Sequence, residues 1–111
     1  MEAKQKELVL LPFPFSDLKE TKVRPAIIVS NDIFNKKSAD CIMVPLTSVI
    51  KDEPYSIIIN QQDMSSGNLI KTSRVKADKI FAVEKCLITM KIGAVSEKTF
   101  DKIKHEILKI I

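Results

Sequence analysis

The residues that do chemistry in most hydrolytic and transfer enzymes are nearly missing from this chain. There is one histidine, His105, so neither an imidazole acid/base pair nor a two-histidine zinc site can be built. Cys41 and Cys86 stand far apart and form no CxxC pair. The sequence holds no G-x-S-x-G elbow, no HExxH and no cluster of carboxylates of the kind that grips two metal ions. What remains is arginine, threonine, serine and backbone N–H groups. A site made of these cannot readily activate water, so the reactions open to it are those in which the substrate brings its own nucleophile. RNA does this, because its 2′-OH lies beside the scissile phosphate.

Composition narrows the field further. The chain has 111 residues, 45% of them hydrophobic and 29% charged, which suits one folded domain over residues 1–111 and argues against disorder. With only two glycines, Gly67 and Gly93, it cannot form a glycine-rich phosphate loop, so no nucleotide cofactor is expected. The formal charge of +4 and pI near 9.1 favour an anionic partner without identifying one. Both cysteines sit in apolar stretches and are expected to be buried free thiols of a reducing compartment. The charged start Met1-Glu2-Ala3-Lys4 leads into a run too short and proline-broken for a signal peptide, and no apolar run is long enough for a membrane span. The expected location is the cytoplasm, with no membrane partner.

The elements that must position any site are mostly strands. In Leu8-Val9-Leu10-Leu11-Pro12-Phe13-Pro14-Phe15 the two prolines exclude a helix and suit an edge strand, with Val9, Leu11, Phe13 and Phe15 on one face. Residues 16–23 are rich in charge and read as an exposed loop. Pro25-Ala26-Ile27-Ile28-Val29-Ser30 is a buried strand, and residues 31–38 are a turn region. Further strands are expected at 41–46, 55–59 and 70–77, with 79–83 continuing or beginning another; 61–68, containing Gly67, reads as a loop. From Ser96 the period changes: Phe100, Ile103, Ile107 and Ile110 recur at helical spacing, Ser96 can cap the first turn, and His105 falls on the polar side. The fold expected is mainly β (α+β), a small curved sheet with a C-terminal amphipathic helix.

Three motifs in order then carry more weight than any one alone. The first is Phe13-Pro14-Phe15-Ser16-Asp17-Leu18 followed by Lys22-Val23-Arg24-Pro25-Ala26-Ile27-Ile28-Val29-Ser30-Asn31-Asp32. The second is Val44-Pro45-Leu46-Thr47-Ser48. The third is Ser73-Arg74-Val75 leading to Lys79-Ile80. The chain resembles the MazF/PemK toxins over nearly its whole length. That resemblance implies an SH3-like barrel of five to seven strands that forms a homodimer. It implies a sequence-specific, metal-independent endoribonuclease acting on single-stranded RNA, and an acidic antitoxin protein that blocks it. It also allows for operator DNA binding through the antitoxin complex.

Carried over by motif, the catalytic residues are Arg24 and Thr47. A guanidinium presents a planar fork to two phosphate oxygens, and arginine stays protonated in proteins, so Arg24 is assigned to stabilising charge rather than moving protons. Thr47 adds a hydroxyl bond to the same phosphoryl group. Candidate RNA-binding residues are Phe15, Lys22, Asn31, Asp32, Ser48 and Arg74. Beside these stand plainer readings: Arg24 as the close of a loop, Thr47 as a strand end, Asn31-Asp32 as a turn, Lys22 as a solvated lysine, and Phe15 as a core residue rather than a stacking platform for a base. The chain departs from the family where Lys6-Glu7 replaces a Gly-Asp, where Glu20 replaces a loop glycine, and where Phe81 replaces a basic residue. The last touches RNA affinity or sequence choice. Two other readings compete: a gyrase-poison-like toxin that binds a protein, and a non-catalytic nucleic-acid-binding barrel. Whether Arg24 and Thr47 meet in one groove bears on the choice.

Overall fold

Leu8 and Val9 are adjacent, and both are fully buried. Successive side chains on a strand point to opposite faces, so the strand that carries them must be covered on both sides. This sets the architecture of the computed structural model, which describes residues 2–14 and 21–111, the side chains of Phe13, Pro14 and Thr21 excepted. Strands β1 (Glu7–Pro14), β2 (Thr21–Ile28), β3 (Asp40–Thr47), β4 (Ser56–Ile59), β5 (Met64–Gly67), β6 (Ser73–Lys76), β7 (Phe81–Glu84) and β8 (Met90–Val95) are joined by helices α1 (Asp32–Lys37) and α2 (Glu97–Leu108). Seven strands follow one antiparallel path, β4-β6-β3-β2-β1-β8-β5, and β7 pairs with β3 beside it. The result is a curled, barrel-like sheet with a C-terminal helix, as the sequence led us to expect.

One core lies between the sheet and α2: Leu8, Ile27, Val44, Leu46, Val75 and Val95 meet Phe100 and Ile103 of the helix. The other lies on the opposite face, where Val9, Leu11, Ala26, Ile28, Cys41 and Met43 meet Ala3 and Ile88. The β-branched run Ala26-Ile27-Ile28 therefore alternates between two cores rather than between core and water. Burying Phe100 and Ile103 contributes about 1.5–3 kcal/mol each, which makes α2 the cover of the first core. Its start is fixed by Ser96, whose Oγ accepts the Thr99 N–H at 3.2 Å, and by Thr99, whose hydroxyl donates to Asp63 at 2.9 Å.

Several expectations need correction. Strand β1 is internal, between β2 and β8. The β8 ladder, however, reaches only Glu7 to Leu10, so Pro12 and Pro14 pair with β2 alone and keep an edge free of ladder partners. Thr21–Val23 belongs to β2, because backbone pairing with Pro12–Pro14 extends the strand through charged positions. Residues 16–20 lie outside the described residues. The 31–38 turn is helix α1, nucleated by Asn31. The 61–68 loop contains a 3-10 turn (Gln61–Asp63) and β5, while β8 was not anticipated at all. Ile110 follows the end of α2 and is exposed. Cys41 is buried as expected, but Cys86 is exposed on the 3-10 turn Lys85–Leu87, where three residues cannot bury a whole face.

The only two glycines face each other across the β5–β8 ladder. Gly67 has φ +75°, and a Cβ there would overlap the Ile92 carbonyl oxygen and lie 2.6 Å from the Gly93 Cα. Alanine at either position must push two strands apart. Gly93→Ala should therefore cost about 1–3 kcal/mol, and Gly67→Ala more because of its φ. The check is urea denaturation, read as a lower midpoint at an unchanged slope.

The two thiols should also separate chemically. Desolvation by burial pushes the Cys41 thiol up in pKa. The exposed Cys86 thiol is pushed up by a hydrogen bond to Glu84, which lies 3.4 Å away and favours the S–H form. Because the thiolate is the nucleophile, alkylation of the folded protein should label Cys86 alone, slowly at neutral pH and faster in Glu84→Gln. Mass spectrometry of the labelled peptides reads this directly.

Candidate active site

The site is built where the β2–β3 ladder ends. Its last rungs are Ile28↔Met43, Ile27↔Val44 and Ala26↔Pro45. The same register continued by two residues sets Arg24 opposite Thr47. Beyond the ladder β3 continues against β6, pairing Leu46 with Val75 and Thr47 with Arg74. Arg24 is held from the other side by its pairing with Leu11 of β1. Pairing with β1 thus fixes the backbone at Arg24, and pairing with β6 fixes it at Thr47.

A cavity of about 490 Å³ opens at this point, and its lining includes both Arg24 and Thr47. Lys22, Ser48, Lys71 and Ser73 supply its remaining polar groups, while Leu8, Leu10, Leu46, Leu69 and Ile92 supply much of its apolar wall. The lining contains, among the described residues, three cationic side chains and no carboxylate, imidazole or thiol. Among the described residues, no three of His, Cys, Asp and Glu come together anywhere. Cations over an apolar wall act through a lower effective dielectric than they would in open water, so a phosphate entering here is held more strongly. The Thr47 Oγ1 accepts the Val49 N–H at 3.1 Å, which leaves its own hydrogen available to a ligand oxygen.

The structure thus brings together Arg24, Thr47, Lys22 and Ser48, four of the residues singled out from sequence. Others lie elsewhere. Asn31 caps α1, its Oδ1 accepting the Phe34 N–H at 2.8 Å, and Asp32 Oδ1 accepts the Gln5 N–H at 2.9 Å; neither lines the cavity. Arg74 is only 8% exposed, and its Nε donates to the Val49 carbonyl at 3.3 Å. Phe15 lies outside the described residues. Phe81 is half-buried against the second core, away from the cavity lining. Sequence reasoning missed Lys71, which it placed in a strand over 70–77 whereas β6 begins only at Ser73, and the lining role of Ser73, whose Oγ donates to the Lys71 carbonyl at 3.0 Å.

A curled antiparallel sheet, a C-terminal helix over one face and a cation-lined cavity at a ladder's end define a small barrel fitted to an anionic ligand. The family model for the PemK-like, MazF-like toxin of type II toxin-antitoxin systems matches residues 4–111, and the chain belongs to that family. A search of curated proteins gives no match. Among solved structures, it is similar to an endoribonuclease in complex with its cognate antitoxin from a Mycobacterial species. The identity there is 23% and the TM-score 0.79, covering 96% of this chain and 92% of that one. An endoribonuclease from a Mycobacterial species is 25% identical with a TM-score of 0.76, covering 98% and 90%. A MazE-MazF crystal structure from Deinococcus radiodurans shares the fold at 18% identity and a TM-score of 0.81, covering 99% and 96%.

Proposed function

We propose that this protein is a sequence-specific endoribonuclease that cuts single-stranded RNA, the toxin half of a toxin–antitoxin pair acting in the cytoplasm. The observation that carries the reading is the presence of Arg24 and Thr47 in one cavity whose other charged groups, among the described residues, are Lys22 and Lys71. Family membership and the likeness to solved endoribonucleases support it. A cavity so lined suits a phosphodiester better than a protein surface.

In this mechanism the substrate supplies the nucleophile. The 2′-oxygen of the nucleotide before the cut attacks phosphorus, the bond from phosphorus to the 5′-oxygen breaks, and the 2′-proton passes through solvent to the leaving oxygen. The products are a 2′,3′-cyclic phosphate and a 5′-OH. Arg24 spans two non-bridging oxygens as they gain charge, and the Thr47 hydroxyl donates to the same group. Lys22, Lys71 and Ser48 hold flanking parts of the strand. No side chain is asked to carry a metal ion, and cleavage should persist in EDTA.

The partners follow from the same reading. We assign a homodimer to the apolar side chains left on the surface near the cavity, Val23, Val49, Ile50 and Ile70, which are 46–81% exposed. The cationic cavity suits an acidic antitoxin segment that orders on binding, and operator DNA would be bound through that complex. Light scattering at micromolar concentration should give twice the chain mass; a stable monomer would contradict the dimer.

Arg24→Ala and Thr47→Ala should each lower kcat for RNA cleavage by about 10²–10³ with the fold intact, the scale for removing one donor to developing charge. Arg24→Lys should be nearly as impaired, since a point charge cannot span two oxygens. The deciding measurement uses an RNA with one 2′-deoxy nucleotide at the cut site. It should bind and stay whole; its hydrolysis, or a strict need for magnesium, would overturn the mechanism.

A further inference from the structure

Arg74 reads from sequence as a phosphate contact, but its placement gives it a different task. It lies in β6, directly paired with Thr47 of β3, so the two side chains project from the same face of the sheet. At 8% exposure it does not line the cavity, and among the described residues it makes no ion pair. Its Nε donates instead to the carbonyl oxygen of Val49 at 3.3 Å. Val49 in turn donates its N–H to Thr47 Oγ1 at 3.1 Å. The chain leaves the ladder after Thr47, since Ser48 and Val49 belong to no strand. The Arg74 bond is the one tie that fixes the turn from outside among the hydrogen bonds described.

We propose that Arg74 is a positioning residue for Thr47, clamping the Val49 carbonyl so that the Val49 N–H holds the threonine hydroxyl in its reactive orientation. The inference rests on the endoribonuclease reading above for its kinetic consequence, and on the hydrogen-bond chain alone for its structural one. A hydroxyl whose oxygen is already engaged by a fixed N–H has its remaining hydrogen confined to fewer directions. It therefore loses less freedom on meeting the phosphoryl oxygen. A guanidinium suits this role because its Nε–H lies in a rigid plane, whereas a lysine ammonium at the same place has no donor at that point along the side chain.

Three measurements test this on the full-length protein. Amide hydrogen exchange by NMR, without RNA, should show Val49 exchanging at least tenfold faster in Arg74→Met and Arg74→Lys; unchanged Val49 protection in folded variants would overturn the proposal whatever the protein cleaves. With RNA, kcat should fall about 10- to 100-fold while KM stays within about twofold and the salt dependence of binding is unchanged. A direct phosphate contact would instead raise KM and lower the logarithmic salt slope by about 0.7. In a Thr47→Ala background the Arg74 substitution should have little further effect on kcat, whereas full additivity would show that Arg74 does not act through Thr47. Val49→Pro removes the linking N–H at an exposed position while leaving Arg74 in place, at the cost of a fixed φ at 49 and a restricted Ser48, and guards against Arg74 variants that fail to fold. It should reproduce the loss of kcat, and wild-type turnover would sink the idea. If the unaltered protein cleaves no RNA, the functional reading fails while the exchange result still decides the clamp.

Discussion

Strand β3 cannot slip by one residue against β2 or β6 without exchanging its two buried faces. Val44 and Leu46 would leave the core beneath α2, and Cys41 and Met43 would leave the other. A slip on a sheet with one solvated face misplaces a single set of side chains; here it misplaces two. That double burial is the constraint on which the site depends. Pairing of Ala26 with Pro45 fixes where Arg24 and Thr47 arrive, and pairing of Leu46 with Val75 fixes Arg74 on the far side of Thr47. The pair proposed as catalytic is thus positioned by packing that involves neither residue.

The cavity at the end of this ladder works by placing like charges around an apolar wall. Among the described residues of the lining, Lys22, Arg24 and Lys71 are the charged ones, and together they raise the local concentration of anions. A positive field of this kind favours any polyanion that fills the site, whether a nucleic-acid strand or an acidic peptide. Such a site would thus serve both substrate and inhibitor.

The last strand pairing at one end of the sheet, β5 on β8, falls to residues with no side chain. Gly67 and Gly93 let β5 and β8 approach more closely than any Cβ permits. The Met64–Ser66 irregularity bends β5 at the same place. The adjoining loop carries Leu69, Ile70 and Lys71 into the cavity wall. The far end of the sheet thereby contributes to a site whose center is on β2 and β3.

Much was written in the sequence itself. The apolar run of β2, the helical spacing of Phe100 and Ile103, the Ser96 cap, and the Arg-Pro and Pro-x-Thr-Ser motifs are local patterns, so strand, helix and family could be read from neighbours along the chain. Other features could not. β5, with Ser65, Ser66 and Gly67, has the composition of a loop and becomes a strand only because β8 supplies its partners. Helix α1 is a single short segment that needs its Asn31 cap to exist. Asn31 and Asp32 look like ligand groups until the fold gives them the Phe34 and Gln5 amides to satisfy. Lys71 lies 47 positions from Arg24 in the numbering, yet both line one cavity; Arg74 looks like any strand cation until β3 and β6 set it against the Val49 carbonyl. Sequence determines which groups are available and which segments prefer strand or helix, because those preferences act over a few residues. Only the tertiary structure decides which of them meet, because that depends on register between strands distant in the chain.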